Sequence, residues 1–195
     1  MAVSTRPYHH GNLREALLEA AERALADGRE LSLRELAREV GVSHAAPRRH
    51  FAGKQALLDA LAADGFERLG DEMARAIAGA EPDFRSRLTA LARTYVRFAT
   101  EHAALLELMY AGKHRSKGLE EKADRAFTAP LALIEQAQAS GEIVGGDVLS
   151  VAAVPWACFH GLASMANGGL LGADVPMDAL LDVAVERLID GLRPR

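Results

Sequence analysis

The sequence is poor in cysteine, in strand-forming residues and in long apolar runs, and each scarcity narrows what it can be. One cysteine, Cys158, in 195 residues excludes an intramolecular disulfide and makes a structural zinc site improbable. A chain of this length buries a core without either staple, as one domain or as a small module fused to a larger one. Val, Ile and Thr together reach 20 residues, while Ala and Leu supply 65. Ala and Leu lose little freedom in a helix and branched residues lose more, so an all-α fold is expected. No uninterrupted run of about 18 apolar residues is present to span a bilayer. The smoothest stretch, Val148 to Met165, carries Ser150, Pro155 and His160 and reads as a buried helix. Met1 to Leu13 is polar and lacks the apolar centre of a signal peptide. A cytoplasmic protein with no membrane partner is therefore expected.

Excess positive charge is also missing, since the chain carries a net −4, but the charge is unevenly placed. Residues 1–54 hold nine Lys and Arg against seven Asp and Glu, with four of the seven histidines. Residues 55–195 carry a net −6. The stretch Ser43 to Lys54 contains Arg48, Arg49 and Lys54 and no acid. A polyanion would meet the N-terminal end.

Helix signals organise the rest. Asn12 and Glu15 read as the start of a first helix over about 12–27, with Leu13, Leu17, Ala20, Ala21, Ala24 and Leu25 on one stripe and Gly28 beyond its end. Ser32-Leu33-Arg34-Glu35 has the pattern of a capping box and opens a second helix over 32–40. Gly41-Val42-Ser43 stops it, and Ser43 is placed to cap a third helix over 43–51, with Pro47 in or near its first turn at the loss of one backbone bond. A long helix runs from Lys54 to Ala78, and Gly79-Ala80-Glu81-Pro82 is the clearest linker. Further helices are expected near 83–100, 102–110, 119–140, 148–167 and 178–192, with kinks at Pro130 and Pro155.

Two short helices joined at Gly41-Val42-Ser43, the second one basic and acid-free, form a helix-turn-helix pattern. Gly41 can adopt the left-handed conformation that ends one helix, and the next can project into a major groove about 12 Å wide. Exposed His44, Arg48 and Arg49 are of types that donate to base acceptors or phosphate oxygens. By spacing alone the pattern also fits helices that pair only for packing, and a helical protein-interaction module without DNA binding stays open.

Ser32 through Ser43, followed by His50-Phe51-Ala52-Gly53-Lys54-Gln55-Ala56-Leu57-Leu58, resembles the signature of the TetR family of transcription regulators. Tyr8-His9-His10-Gly11-Asn12-Leu13-Arg14 and Trp156-Ala157-Cys158-Phe159-His160-Gly161-Leu162 are similar to segments of one subgroup, which has a Trp-His-Gly motif in its C-terminal domain. The resemblance covers nearly the whole chain. It implies a three-helix DNA-binding domain over 1–54, joined by the long helix to a helical ligand-sensing and dimerisation domain over 55–195.

It also implies roles. Arg34 would hold a guanine edge, and His44 and Ala45 would lie at base-reading positions, Ala45 against a thymine methyl. His50 and Lys54 would contact phosphates, Ser43 would offer a helix N-terminus to another, and Arg6 would add a backbone or minor-groove contact. Arg48 stands where the family usually has Tyr, and Pro47 where it usually has an aliphatic residue. Arg48 can read guanine or grip a phosphate, and both readings stay open. The expected activity is that of a ligand-responsive repressor binding a palindromic operator, its two recognition helices about 34–36 Å apart in a two-fold dimer. The long helix would carry the ligand signal to the DNA-binding heads.

The larger domain is less informative. Phe98, Met109, Tyr110, Phe127, Trp156, Phe159 and Met165 are candidates to line an effector pocket, with His102, Cys158 and His160 as its polar groups. Core packing is the commoner explanation of aromatics and Met at helical spacing. Val148, Val151, Ala152, Leu180, Leu181, Ala184, Val185 and Leu188 are candidates for a dimer interface of four helices; an internal helix pair would look the same.

Enzymatic motifs are lacking. Gly53-Lys54 has no glycine five positions before Gly53, no His-Glu-x-x-His or Glu-x-x-His appears, and no strand precedes Gly168-Gly169-Leu170-Leu171-Gly172. Cys158 and His160, two apart on a helix, point to different faces and make a poor nucleophile and base. A small helical enzyme is the remotest reading, and no cofactor, metal or catalytic residue is expected.

Overall fold

The computed structural model describes residues 13–172 and 174–193, and among them every regular element is helical. The chain divides into two compact units, residues 1–62 and 63–195. The division falls within the long helix and not at its first residue. Arg6, Asn12 and the Tyr8-His9-His10-Gly11 segment lie outside the described residues.

The first unit contains α1 (Leu13–Ala26), α2 (Leu33–Val40), a short 3-10 turn (Pro47–Arg49) and the first part of α3 (Lys54–Gly79). Leu17, Ala20, Ala21 and Ala24 of α1 are buried with Leu36 and Ala37 of α2, Phe51 and Leu57, as a stripe of period 3.6 requires. The expected capping box at Ser32 does not form: its side chain makes no cap hydrogen bond. The other end of α2 is closed by the backbone. Gly41 takes φ 79° and ψ 28°, Gly41 N–H donates to the Arg38 and Ala37 carbonyls, and Val42 N–H reaches the Ala37 oxygen at 2.9 Å. The hydrogen bonds from Gly41 to Arg38 and from Val42 to Ala37 are the pair that closes a helix at a left-handed residue.

The second unit holds the rest of α3, then α4 (Phe84–Glu101), α5 (Ala103–Gly112), α6 (Lys117–Ala126), α7 (Thr128–Ala139), α8 (Val148–Asn167) and α9 (Met177–Leu192). α4 is its central helix, packed on α5, α7, α8 and α9. Asp83 caps it by accepting from Ser86 N–H at 2.9 Å, and Asp147 caps α8 by accepting from Ser150 N–H at 2.8 Å. One helix was expected over 119–140, and two occur. Pro130 has no N–H to give the Ala126 carbonyl, so the ladder fails there and the chain turns at Phe127 between α6 and α7. Pro155 is accommodated inside α8 without ending it.

The expectation that Val148–Met165 is buried also fails. Only Pro155, Phe159 and Ala163 of α8 are buried, while Leu149, Val154 and Met165 are exposed. With a mean hydropathy of 1.5, α8 is long and apolar enough to cross a membrane by length and composition alone. The core helix of a globular domain passes the same test.

Candidate functional site

In the first unit, the side chains of Arg34, Ser43, His44, Ala45, Arg48, Arg49, His50 and Lys54 are all exposed. Buried Pro47 and Phe51 sit between them and anchor the segment to the core. Phe51 packs under the Arg14 guanidinium, 5.9 Å from its ring centroid, and beside the His50 ring. Among the described residues no carboxylate pairs with Arg34, Arg48 or Arg49, whereas Arg23 and Arg29 both reach Glu39. Lys54 lies 3.7 Å from Glu30, with both groups largely exposed, a contact that solvent screens strongly. Arg34, Arg48 and Arg49 are thus committed to no internal charge and free to meet an anion.

The segment after the turn is not the α-helix expected over 43–51. Ala46 N–H bonds the Ser43 carbonyl at 2.9 Å, and His50 N–H bonds Pro47 at 3.0 Å; only Pro47–Arg49 is regular, as 3-10. The cause is Pro47. It cannot donate to the Ser43 carbonyl, and its ring crowds that group, so a tighter i to i+3 pattern takes over. Ser43 therefore opens no helix, and its role as a helix N-terminus for phosphate lapses; its exposed hydroxyl remains.

The second unit holds a partly open cavity of about 580 Å³ between α4, the ends of α5 and α6, α7 and α8. Four residues expected to line a pocket do so: Tyr110, Phe127, Trp156 and Phe159. Phe98, His102 and Met109 do not. Phe98 is buried against the His102 ring at 4.8 Å, with the Arg68 guanidinium 5.8 Å from its centroid. Met109 fills the space over Gly65. Met165 is exposed. His160 stands behind the wall, its Nδ1 2.8 Å from the Tyr95 hydroxyl. Tyr95 in turn lies 3.1 Å from the Tyr110 hydroxyl.

Tyr95 was missed, as were Leu88 and Leu91, all three on the cavity wall. Their spacing of three and four along α4 was the available signal. Burial pushes the Tyr95 phenol up to about 12 and raises that of Tyr110 as well, so both stay neutral. Cys158 is half-buried, and burial raises its thiol. With His160 Nδ1 engaged by Tyr95, the two do not form a nucleophile and base.

Of the residues expected at a dimer interface, Leu181 and Val185 are each 1% exposed, on α9 where it packs against α4 and α8; they hold this chain together and are not free for a partner. Ala152 lines the cavity. Val148, Val151, Leu180, Ala184 and Leu188 are half-buried. The large apolar side chains exposed on these two helices are others: Leu149, Val154 and Met165 on α8 and Val183 on α9, of which Leu149 also lines the cavity. Val154, Cys158, Gly161 and Met165 follow one another at spacings of four, three and four, a stripe that the sequence already contained.

Comparison with known proteins agrees with this architecture. Residues 17–61 match the family model for bacterial regulatory proteins, tetR family, and residues 88–188 match that for the tetracyclin repressor-like C-terminal domain. No curated protein matches the chain. Among solved structures, a protein of unknown function from Rhodococcus sp. RHA1 is 45% identical with a TM-score of 0.88, covering 97% of this chain and 100% of that one. A TetR family transcription regulator from Marinobacter aquaeolei VT8 is 21% identical with a TM-score of 0.75, covering 93% and 96%. The superantigen PfiT, 19% identical with a TM-score of 0.75 and coverage of 92% and 97%, shares the fold and illustrates that fold alone does not fix function. What carries the assignment is the pair of family models, one at each end of the chain: the protein belongs to the TetR family of bacterial regulators and is a DNA-binding transcriptional regulator, not an enzyme.

Proposed function

We propose that the protein is a cytoplasmic, ligand-responsive repressor that binds a palindromic operator as a homodimer. The observation that carries this is the acid-free, exposed segment Ser43–Lys54 following the left-handed turn at Gly41. Arg34, His44 and Ala45 are assigned to base edges. Arg49, His50 and Lys54 are assigned to phosphates, with Ser43 as a hydroxyl donor. A phosphate would replace Glu30 as the partner of Lys54. Arg48 extends from the 3-10 turn and has the reach for either a guanine or a phosphate.

We place the second copy against the stripe of α8 in which exposed Val154 and Met165 flank half-buried Cys158 and Gly161, with exposed Val183 of α9. TetR family regulators usually act as homodimers with small-molecule effectors, and apolar side chains this exposed on a packed helix pair call for cover. The effector is assigned to the cavity of the second unit. A ligand that prefers the conformation with low operator affinity lowers DNA binding by its differential affinity for the two states.

Selection of sites from random duplex DNA, followed by affinity against salt, tests the reading. Enrichment of a palindrome with affinity falling steeply as salt rises is the expected result. Loss of preference at one base pair per half-site in Arg48→Ala makes Arg48 a base reader; a uniform weakening with a shallower salt slope makes it a phosphate contact. Absence of any enriched duplex at low salt overturns the proposal.

A further inference from the structure

The cavity of the second unit offers a ligand much aromatic surface, one hydroxyl end and, as its charged groups, one solvent-exposed pair of opposite sign. Its ionisable wall residues other than the tyrosines are Lys113 and Asp124, and these lie 3.8 Å apart. Both ends of that pair reach solvent, Asp124 the more so, so the pair itself costs little to break. A charge laid against the aromatic wall would give up water with no counter-charge there, and that is costly. Both tyrosines are neutral, as burial requires. They supply dipoles and not counter-charges.

The aromatic side chains touch one another and do not stand apart as a cage for a cation. The Trp156 ring is 4.4 Å from Tyr95 and 4.4 Å from Phe127, edge to face. Together with Phe159 they form a continuous wall suited to a ring laid against it.

The polar end is a chain of three groups, Tyr110 hydroxyl, Tyr95 hydroxyl and His160 Nδ1, at 3.1 and 2.8 Å. Counting protons along it shows what it can give. If His160 carries its proton on Nε2, Tyr95 donates to Nδ1 and Tyr110 donates to Tyr95, which leaves the Tyr110 oxygen as an acceptor. If the proton is on Nδ1, the chain reverses: His160 donates to Tyr95, Tyr95 donates to Tyr110, and the Tyr110 O–H is free to donate. A tautomer exchange at a neutral imidazole thus lets one hydroxyl serve either a ligand donor or a ligand acceptor.

Resting on the effector reading above, we propose that the cavity takes a neutral, ring-bearing, mostly apolar molecule whose single hydroxyl or carbonyl bonds to the Tyr110 hydroxyl. A cavity of about 580 Å³ is within the span of sites for drug-sized ligands.

Trp156 is the one tryptophan in the chain and lies in the cavity wall, so its fluorescence reports occupancy directly. Full-length protein is titrated with a matched set of para-substituted probes: phenylcyclohexanone, phenylcyclohexanol, phenylcyclohexane, phenylcyclohexanecarboxylate and phenylcyclohexylamine. The ketone and alcohol are expected to bind about three- to tenfold tighter than the hydrocarbon, the return of one neutral hydrogen bond, and at least about tenfold tighter than the charged pair. Tyr110→Phe is expected to bring ketone and alcohol down to the hydrocarbon while leaving the hydrocarbon unchanged. Tightest binding by the carboxylate or the amine, an intact polar preference in Tyr110→Phe, or no response of Trp156 to any probe overturns the proposal. Operator affinity is measured with each bound probe: occupancy of the expected selectivity without change in DNA binding overturns the effector-response reading and leaves the ligand chemistry standing.

Discussion

The two units of this molecule place function in opposite ways. In the first, the side chains proposed to meet DNA are on the outside, within a single stretch from Arg34 to Lys54, and buried residues such as Pro47 and Phe51 anchor that stretch. In the second, the proposed effector surface is a cavity assembled from residues as distant as Leu88 and Phe159. The outer site is set by local geometry, chiefly one turn. The inner one exists only when five helices have packed. Substitutions should therefore separate the units: a core defect in the first removes DNA binding, and one in the second removes stability and effector response.

The largest effect is expected from Phe51→Ala. Phe51 is 2% exposed and anchors the Ser43–Lys54 segment that is proposed to meet DNA. Truncating a buried Phe costs about 3–5 kcal/mol, a large share of what a small unit has. Operator binding should be lost while phenylcyclohexanone still changes Trp156 fluorescence. Joint loss of both would show that the units melt as one and would break the comparison.

Next comes Gly70→Ala in the second unit. A methyl there would stand 2.8 Å from the Ala126 α-carbon and 3.3 Å from its β-carbon. Backbone cannot give way as a flexible side chain can, so α3 and α6 must part, at about 1–3 kcal/mol. For a chain of this size each kcal/mol lowers Tm by about 2–4 °C. Since Ala126 adjoins the cavity residue Phe127, a weaker Trp156 response should accompany the lower melting temperature. An unchanged thermal scan would mean that the close approach of the two helices is no constraint.

The same contrast decides what could be read from the sequence. The first unit was legible because its signals are local: Gly41 after an amphipathic stretch and basic residues without acids. Its recognition helix was misjudged, although the warning was Pro47 itself, since a residue without N–H cannot close the bond that an α-helix from Ser43 needs. In the second unit the helices were mostly legible but the site was not. Phe98, Met109 and Trp156 look alike in sequence; only packing sends the first two into the core and the third to a cavity. Leu181 and Val185 were placed at a dimer interface because an apolar stripe does not say whether it covers its own chain or another. Tyr95 and His160 are 65 positions apart in sequence, and no local pattern links them.

Gly41→Ala tests the turn with a smaller effect. The residue holds φ 79°, and a Cβ there meets no neighbouring atom, so the cost is conformational alone, about 1–2 kcal/mol. Thermal unfolding followed through the helix signal should shift modestly. Operator affinity should fall only as far as the turn re-angles the Ser43–Lys54 segment, and an effect beyond tenfold would show that the turn's angle matters more to recognition than to stability.

The smallest effects are expected at the helix starts, where the units differ again. Ser32 makes no cap bond at α2, so Ser32→Ala should leave Tm nearly unchanged. At α8, Asp147 accepts from both the backbone N–H and the hydroxyl of Ser150, and these bonds hold its carboxyl below the usual range. A carboxylate bound more tightly in the folded state stabilises it above the unfolded pKa of about 3.9, and that contribution fades as pH falls through the lower folded value. Asp147→Asn keeps an acceptor but removes the titration. Wild type should be somewhat more stable than the variant at neutral pH, and the gap should close below about pH 4. Melting curves of both proteins across that range check the sign, and a gap that widens in acid would mean that the Asp147 carboxylate is not what stabilises the start of α8.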